Sequence, residues 1–282
     1  MSSMARASAF AMSTTGPLGV CRNGQAQNTA SQLATLMLAL LVPTALGDLL
    51  DERLTNGVSG WIKPMKFEAS LALHFATLAL LLGLIAPSVR AGRLVRWSML
   101  AASVLAALEV GYMMVQAGRG RTSHFNNDTP LEEVAYALMG FGATTIVVVT
   151  FILGIMLWRH PRVDVSPGMR LAAAGGLMLS AAATLVIGGY MSQLSGHWIG
   201  GAPSDAGGLP IVGWSTGAGD LRAPHFFATH AAQVVPVFAL ALQRLRPHGS
   251  AAPVGVILVG YAAFTAAVFV QALMGQPFLA WR

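Results

Sequence analysis

Residues 132–157 read EEVAYALMGFGATTIVVVTFILGIML. After two opening acids the run carries no charge, and its apolar residues surround a 3.6-residue helix instead of forming one stripe. It exceeds the ~20 residues a helix needs to cross ~30 Å of hydrocarbon. It is also too long, and too continuous, for an alternating barrel strand. The stretch predicts a transmembrane helix.

Six further apolar runs match it, near 29–47, 67–87, 95–117, 170–193, 224–243 and 252–275. The first is short and carries Pro43. The fold expected is all-α: a polytopic membrane bundle of about seven transmembrane helices, forming one domain over 29–282. Residues 1–28 are small and polar and read as a disordered cytoplasmic tail. A cleavable signal beginning at Met12 is the competing reading of that end.

Composition agrees. Hydrophobic residues make up 55% of the 282, charged residues only 10%, and the mean hydropathy is +0.62. A soluble domain carries roughly 25% charged residues to solvate its surface. The natural partner of this surface is the lipid bilayer. Small residues inside the spans, such as Gly176, Gly188 and Gly189, allow close helix packing and homo-oligomer formation. The net charge of +6 does not point to nucleic acid, because the basic residues are scattered between spans. Cys21 is the only cysteine, which excludes internal disulfides, Cys-rich zinc sites and covalent c-type haem.

Charge sets the expected topology. Arg6, Arg22, Arg90, Arg93, Arg96, Arg159, Arg162, Arg170, Arg244 and Arg246 fall on one side by the odd-even count of spans, with Asp164 as the lone loop acid. That is ten of the 17 basic residues. The positive-inside rule then predicts a cytoplasmic N-terminus and an external C-terminus in the cell (inner) membrane. The external connections, 48–66, 118–131 and 194–223, are long and rich in Trp, His, Gly and Pro.

Polar groups within spans mark where chemistry belongs, since a charge at mid-bilayer costs roughly 2.5–3.5 kcal/mol even on the lenient insertion scale. Ser70, His74 and Thr77 form a stripe on the second span that Lys66 extends outward. Trp61, Lys63 and Lys66 equally suit a role as interfacial anchors. Glu109 lies inside the third span on a face with Tyr112 and Gln116; it is either a proton, ion or metal site, or a neutral acid bonded between helices. Arg119, His124 and Asn126 in the following loop have the donors to hold an anion such as a lipid phosphate, or else meet headgroups as a solvated loop. On the sixth span His225, Thr229 and Gln233 share a face, with His230 about 60° from Gln233 and about 140° from His225. Five of the seven histidines, all but His160 and His248, fall on the external side, which predicts a site opening outward.

Three functions are compatible with this. The first is a membrane enzyme or redox protein, with haem b between His74 and His230, or with Ser70, His74, His225 and Glu109 holding zinc that activates water for lipid hydrolysis, Glu109 and Ser70 being catalytic and His230 a further candidate metal ligand. Seven spans with a serine, an acid and several histidines resemble membrane hydrolases of the alkaline ceramidase and adiponectin-receptor kind in inventory alone. Their His-x-x-x-His is absent, because His225 and His230 are one residue too far apart, and no family is assigned. The second is a transporter in which Glu109 carries a coupling proton, and Lys66, Arg119, Gln116, His124, Asn126 and Gln233 receive a small anionic solute. The third is a sensor or assembly subunit recognising a partner through its external loops.

Overall fold

The computed structural model describes residues 24–245 and 251–280. Most of the predicted tail, with Cys21, Arg6 and Arg22, lies outside those residues, as do Arg246, His248 and Arg282. Seven long helices carry the fold: α1 (Gln25–Leu50), α2 (Ile62–Leu82), α4 (Arg93–Gly118), α5 (Pro130–Arg159), α6 (Pro167–Ser192), α7 (Arg222–Leu245) and α8 (Ala252–Leu273). All seven are long and apolar enough to span a membrane. A one-turn helix, α3 (Pro87–Arg90), links α2 to α4. Two small ladders form in the connections: β1 (Leu54–Thr55) with β2 (Val58–Ser59), and β3 (Trp198–Ile199) with β4 (Gly219–Asp220).

Helix boundaries differ from the hydropathy reading where polar starts disguise them. The first helix begins at Gln25, so residues 25–28 belong to it and not to a tail. The second begins at Ile62 and ends at Leu82, because Pro64 sits comfortably in its first turn and Pro87 opens α3. The β1–β2 hairpin turns on Asn56 and Gly57, with φ of 55° and 86°. Two successive positive φ angles are what a two-residue hairpin needs, and Asn-Gly supplies them.

The helices sort into two groups. In one, α1 packs most extensively on α2, with α4 against both and α5 against α4. In the other, α6, α7 and α8 pack together, and the α5–α6 contact joins the groups. Small residues make these approaches close. A side chain at Gly176 of α6 would meet the Ala231 carbonyl and Pro236 of α7 at 2.9 and 3.3 Å. Between α1 and α2, Glu68 is fully buried and accepts a 2.6 Å hydrogen bond from Thr44.

Gly47 of α1 is the tightest of these positions to test. A Cβ there would lie 2.7 Å from the Trp61 indole. That ring cannot swing away freely, since its Nε1 donates to Asp51 Oδ2 at 3.0 Å. Gly47→Ala is expected to lower detergent-solubilised stability by roughly 1–2 kcal/mol through overpacking. Gly111→Ala, which meets nothing within 4 Å, should leave it level or raise it by up to ~1 kcal/mol. Thermal melts of the two variants side by side check the α1–α2 packing; equal midpoints would contradict it.

Candidate functional site

Because α5 and α6 join the two groups, α2 and α7 touch sparingly, and polar side chains meet along their seam. The Gln233 amide on α7 lies 3.2 Å from Thr77 Oγ1 on α2. His230 Nδ1 lies 3.3 Å from the Gln233 side-chain amide, and its ring stands edge-on to Phe226 at 4.1 Å. His74 Nε2 lies 3.2 Å from Thr150 Oγ1 on α5. Thr150 gives its own proton to the Ile146 carbonyl, so it accepts from His74, which assigns the Nε2–H tautomer.

Beside this seam lies a groove of about 450 Å³. Phe226, Phe227 and Val234 of α7, Leu73 of α2, and Tyr261 and Phe264 of α8 form its walls, and His230 and Gln233 are its polar groups. Leu73, Phe226 and Phe264 are exposed on the helix flanks, so the groove opens sideways, toward lipid.

Above the seam the connections form a cap. Arg222 pairs with Asp205 at 2.8 Å and with Asp220 at 2.7 Å. His197 Nε2 lies 3.2 Å from Asp205 Oδ1. Lys66 of α2 donates to the Val212 carbonyl at 2.9 Å, and the Asp205 N–H donates to the Asn56 carbonyl at 3.0 Å. Trp214 descends from the cap onto Phe226 and Phe227, ring centroids 5.5 and 5.8 Å away, which places it over two groove residues.

Glu109 lies elsewhere, between α4 and the loop after it. It is 6% exposed, and His124 Nε2 stands 3.6 Å from its Oε1, beyond hydrogen-bond length. Burial, with the Lys63 charge adding to it, holds the His124 imidazole well below its ordinary value, so the ring is neutral. Phe67 and Tyr136 flank it at 5.4 and 6.0 Å.

The sequence-derived site thus divides. His74, His230 and Gln233 are brought to one seam. His225 turns toward α6, where a side chain at Gly188 would lie 3.4 Å from its ring, and its Nδ1 is buried without a hydrogen-bond partner among the described residues. Ser70 is exposed on α2, and Glu109 belongs to the His124 pair. Among the described residues no three His, Cys, Asp or Glu side chains converge as a metal-ligand set. The anion-receiving donors have internal partners instead. Gln116 is fully buried, donates to Glu132 Oε1 at 3.2 Å and accepts from Arg119 at 2.7 Å. Arg121 reaches Glu132 Oε2 at 2.7 Å, and Asn126 donates to the Thr122 carbonyl. Lys66 is held by the cap.

Glu132, Asp205 and Thr150 are structural partners that the sequence reading did not single out. Only Glu132 had a local signal: Thr129-Pro-Leu-Glu132 has the spacing of a helix N-cap, and Thr129 Oγ1 does accept from the Glu132 N–H. Comparison with protein families, curated proteins and solved structures gives no match.

The cap carries a pH dependence. Burial lowers His197 despite the Asp205 hydrogen bond, so below pH ~6.5 the unfolded ring takes a proton that the folded ring refuses. Burial alone would raise Asp205, but His197 and Arg222 together hold it below its ordinary value. Its stabilisation is present above the unfolded carboxylate pKa of ~3.9 and lost as pH falls through the folded one. Both linkages weaken the cap in acid. Between pH 7.5 and 5 only the His197 linkage changes, so amide exchange across 204–214, corrected for intrinsic chemistry, should be faster at pH 5; unchanged or slower exchange would contradict the burial of a neutral His197 in the cap.

Proposed function

We propose that this multi-pass membrane protein binds a membrane-dissolved amphiphile, drawn from lipid into the groove between α2, α7 and α8. The observation that carries this reading is the groove: apolar walls, a lateral opening, and His230 with Gln233 placed together at 3.3 Å. Its volume lies within the usual 300–1,000 Å³ of small-molecule sites, which are mostly apolar with a few placed polar groups. The occupant this chemistry selects is a hydrophobic chain or ring bearing one carbonyl or hydroxyl. The amide and imidazole supply both a donor and an acceptor to that head. This keeps the histidine site expected from the sequence and assigns it to hydrogen bonding in place of haem or zinc ligation. The support is that His74 Nε2 and His230 Nδ1 both have protein partners. The outer loops are read as a cap over the groove, their polar groups being turned toward one another. The arginine asymmetry supports the cell (inner) membrane, with the arginine-rich face toward the cytoplasm.

The test is photolabelling in nanodiscs with a long-chain alcohol carrying a diazirine. Labelling should concentrate on peptides containing Phe226–Val234 and Tyr261–Phe264, and should fall at least about fivefold in His230→Ala/Gln233→Ala. Even labelling of all lipid-facing helices, unchanged in that double variant, would sink the reading.

A second reading rests on Glu109, whose carboxyl is buried beside the neutral His124 imidazole, with the Lys63 ammonium within electrostatic reach. Such a group suits reversible protonation, and hence proton-coupled transport. Glu109→Gln removes the titratable proton at nearly constant shape. In proteoliposomes under an imposed pH gradient it should abolish any proton flux that the wild type shows. Equal flux in both proteins would remove Glu109 from the pathway.

A further inference from the structure

The opposite, arginine-rich end of the bundle holds a cation without a partner. Arg90 closes α3 and is 7% exposed, yet its guanidinium has no hydrogen bond or ion pair among the described residues. Its side chain runs against Gly24, the N-cap of α1: a Cβ at Gly24 would lie 3.4 Å from Arg90 Nε. That end of a helix is itself positive, because its first N–H groups have no helical acceptor. Gly24 offers no capping side chain, and Gln27 reaches back only to the Gly24 N–H, at 3.0 Å. A second helix begins alongside. Gly92 caps α4 equally barely, and Arg96 of its first turn donates to Gln25 Oε1 at 3.3 Å. Arg93 and Arg96 are exposed at the same helix start.

Positive charge is thus gathered where nothing negative answers it. The chain has no Asp or Glu before Asp48 and none between Glu68 and Glu109. So neither the segment preceding α1 nor the α2–α4 connection supplies a carboxylate. Asp164, the acid of the neighbouring 158–170 connection, pairs with Arg162. A guanidinium on a largely buried side chain, held beside two uncapped helix starts, gathers positive charge that a bridging anion would offset. Trp97 under Arg96 and Trp158 under Arg170, at 5.1 and 4.5 Å, are side chains typical of the level at which headgroups lie.

We propose that Arg90, Arg93 and Arg96, with the first turns of α1 and α4, form a binding site for a phosphate group, carried by an anionic lipid headgroup or free in solution. Arginine gives phosphate a two-point hydrogen bond, and helix N–H groups add theirs. The test is a thermal melt in phosphatidylcholine nanodiscs, with either phosphatidylglycerol or inorganic phosphate added. The wild type should gain about 3 °C or more from one of them, and Arg90→Gln should lose most of that gain. A shift with phosphatidylglycerol alone identifies a lipid headgroup, and a shift with inorganic phosphate alone identifies a free anion. If Arg90→Gln does not fold, the surface variant Arg93→Gln/Arg96→Gln decides, and should lose at least half the shift. No shift in the wild type, or the same shift in wild type and variants, overturns the site.

Discussion

A peptide group in hydrocarbon finds no water, so each must be satisfied within its own helix. The architecture follows from that constraint. Long helices leave the chain only two ways to spend its polar side chains: inward between helices, or outward at the ends. Inward, the structure pairs polar groups across helices, Thr77 with Gln233, Thr150 with His74 and Thr44 with Glu68. At the ends it uses charges, in the Arg222–Asp205–Asp220 and Arg121–Glu132 sets. Helix association cannot rest on hydrophobicity when lipid is as apolar as the core, and closeness at residues such as Gly47 and Gly176 takes its place.

The seven spans were legible because hydropathy is a local property and each run exceeds the length that a membrane demands. The histidine seam was legible in part. The i, i+4 logic put His225 with Gln233 on one face, but His230 is the residue that joins Gln233 at the groove, while His225 faces α6. Which helices neighbour which is a long-range fact that no helix-face argument supplies. Arg119 looked like part of an anion receptor for the same reason: it donates to Gln116, and Gln116 donates to Glu132, which begins the next helix, so the loop between had to be folded back to find that chain. The Asn56–Gly57 hairpin was in plain view, but so short a ladder is masked by the long apolar runs around it.

The two ends of the bundle are treated oppositely. At the cap, Arg222 pairs with carboxylates and Lys66 with a carbonyl, and the loops lock to one another. At the arginine-rich end the acids are all but absent, so the charge balance there must be completed by the surroundings. One end is closed by the protein itself, the other by its environment.

The sparse α2–α7 contact also has a mechanical meaning. Toward the arginine-rich end, Leu78 and Leu82 of α2 interlock with Leu153 and Leu157 of α5 and Leu177 of α6, a dry pivot. At the far end, the Lys66–Val212 and Asn56–Asp205 bonds act as a clasp between the two leaves. Between pivot and clasp, the Thr77–Gln233 bond ties the leaves, an interhelical contact of a kind worth only about 0.6 kcal/mol in membranes. The two leaves are therefore tied at three levels, by the leucine cluster, by the Thr77–Gln233 bond and by the clasp, and the groove lies beside the middle one.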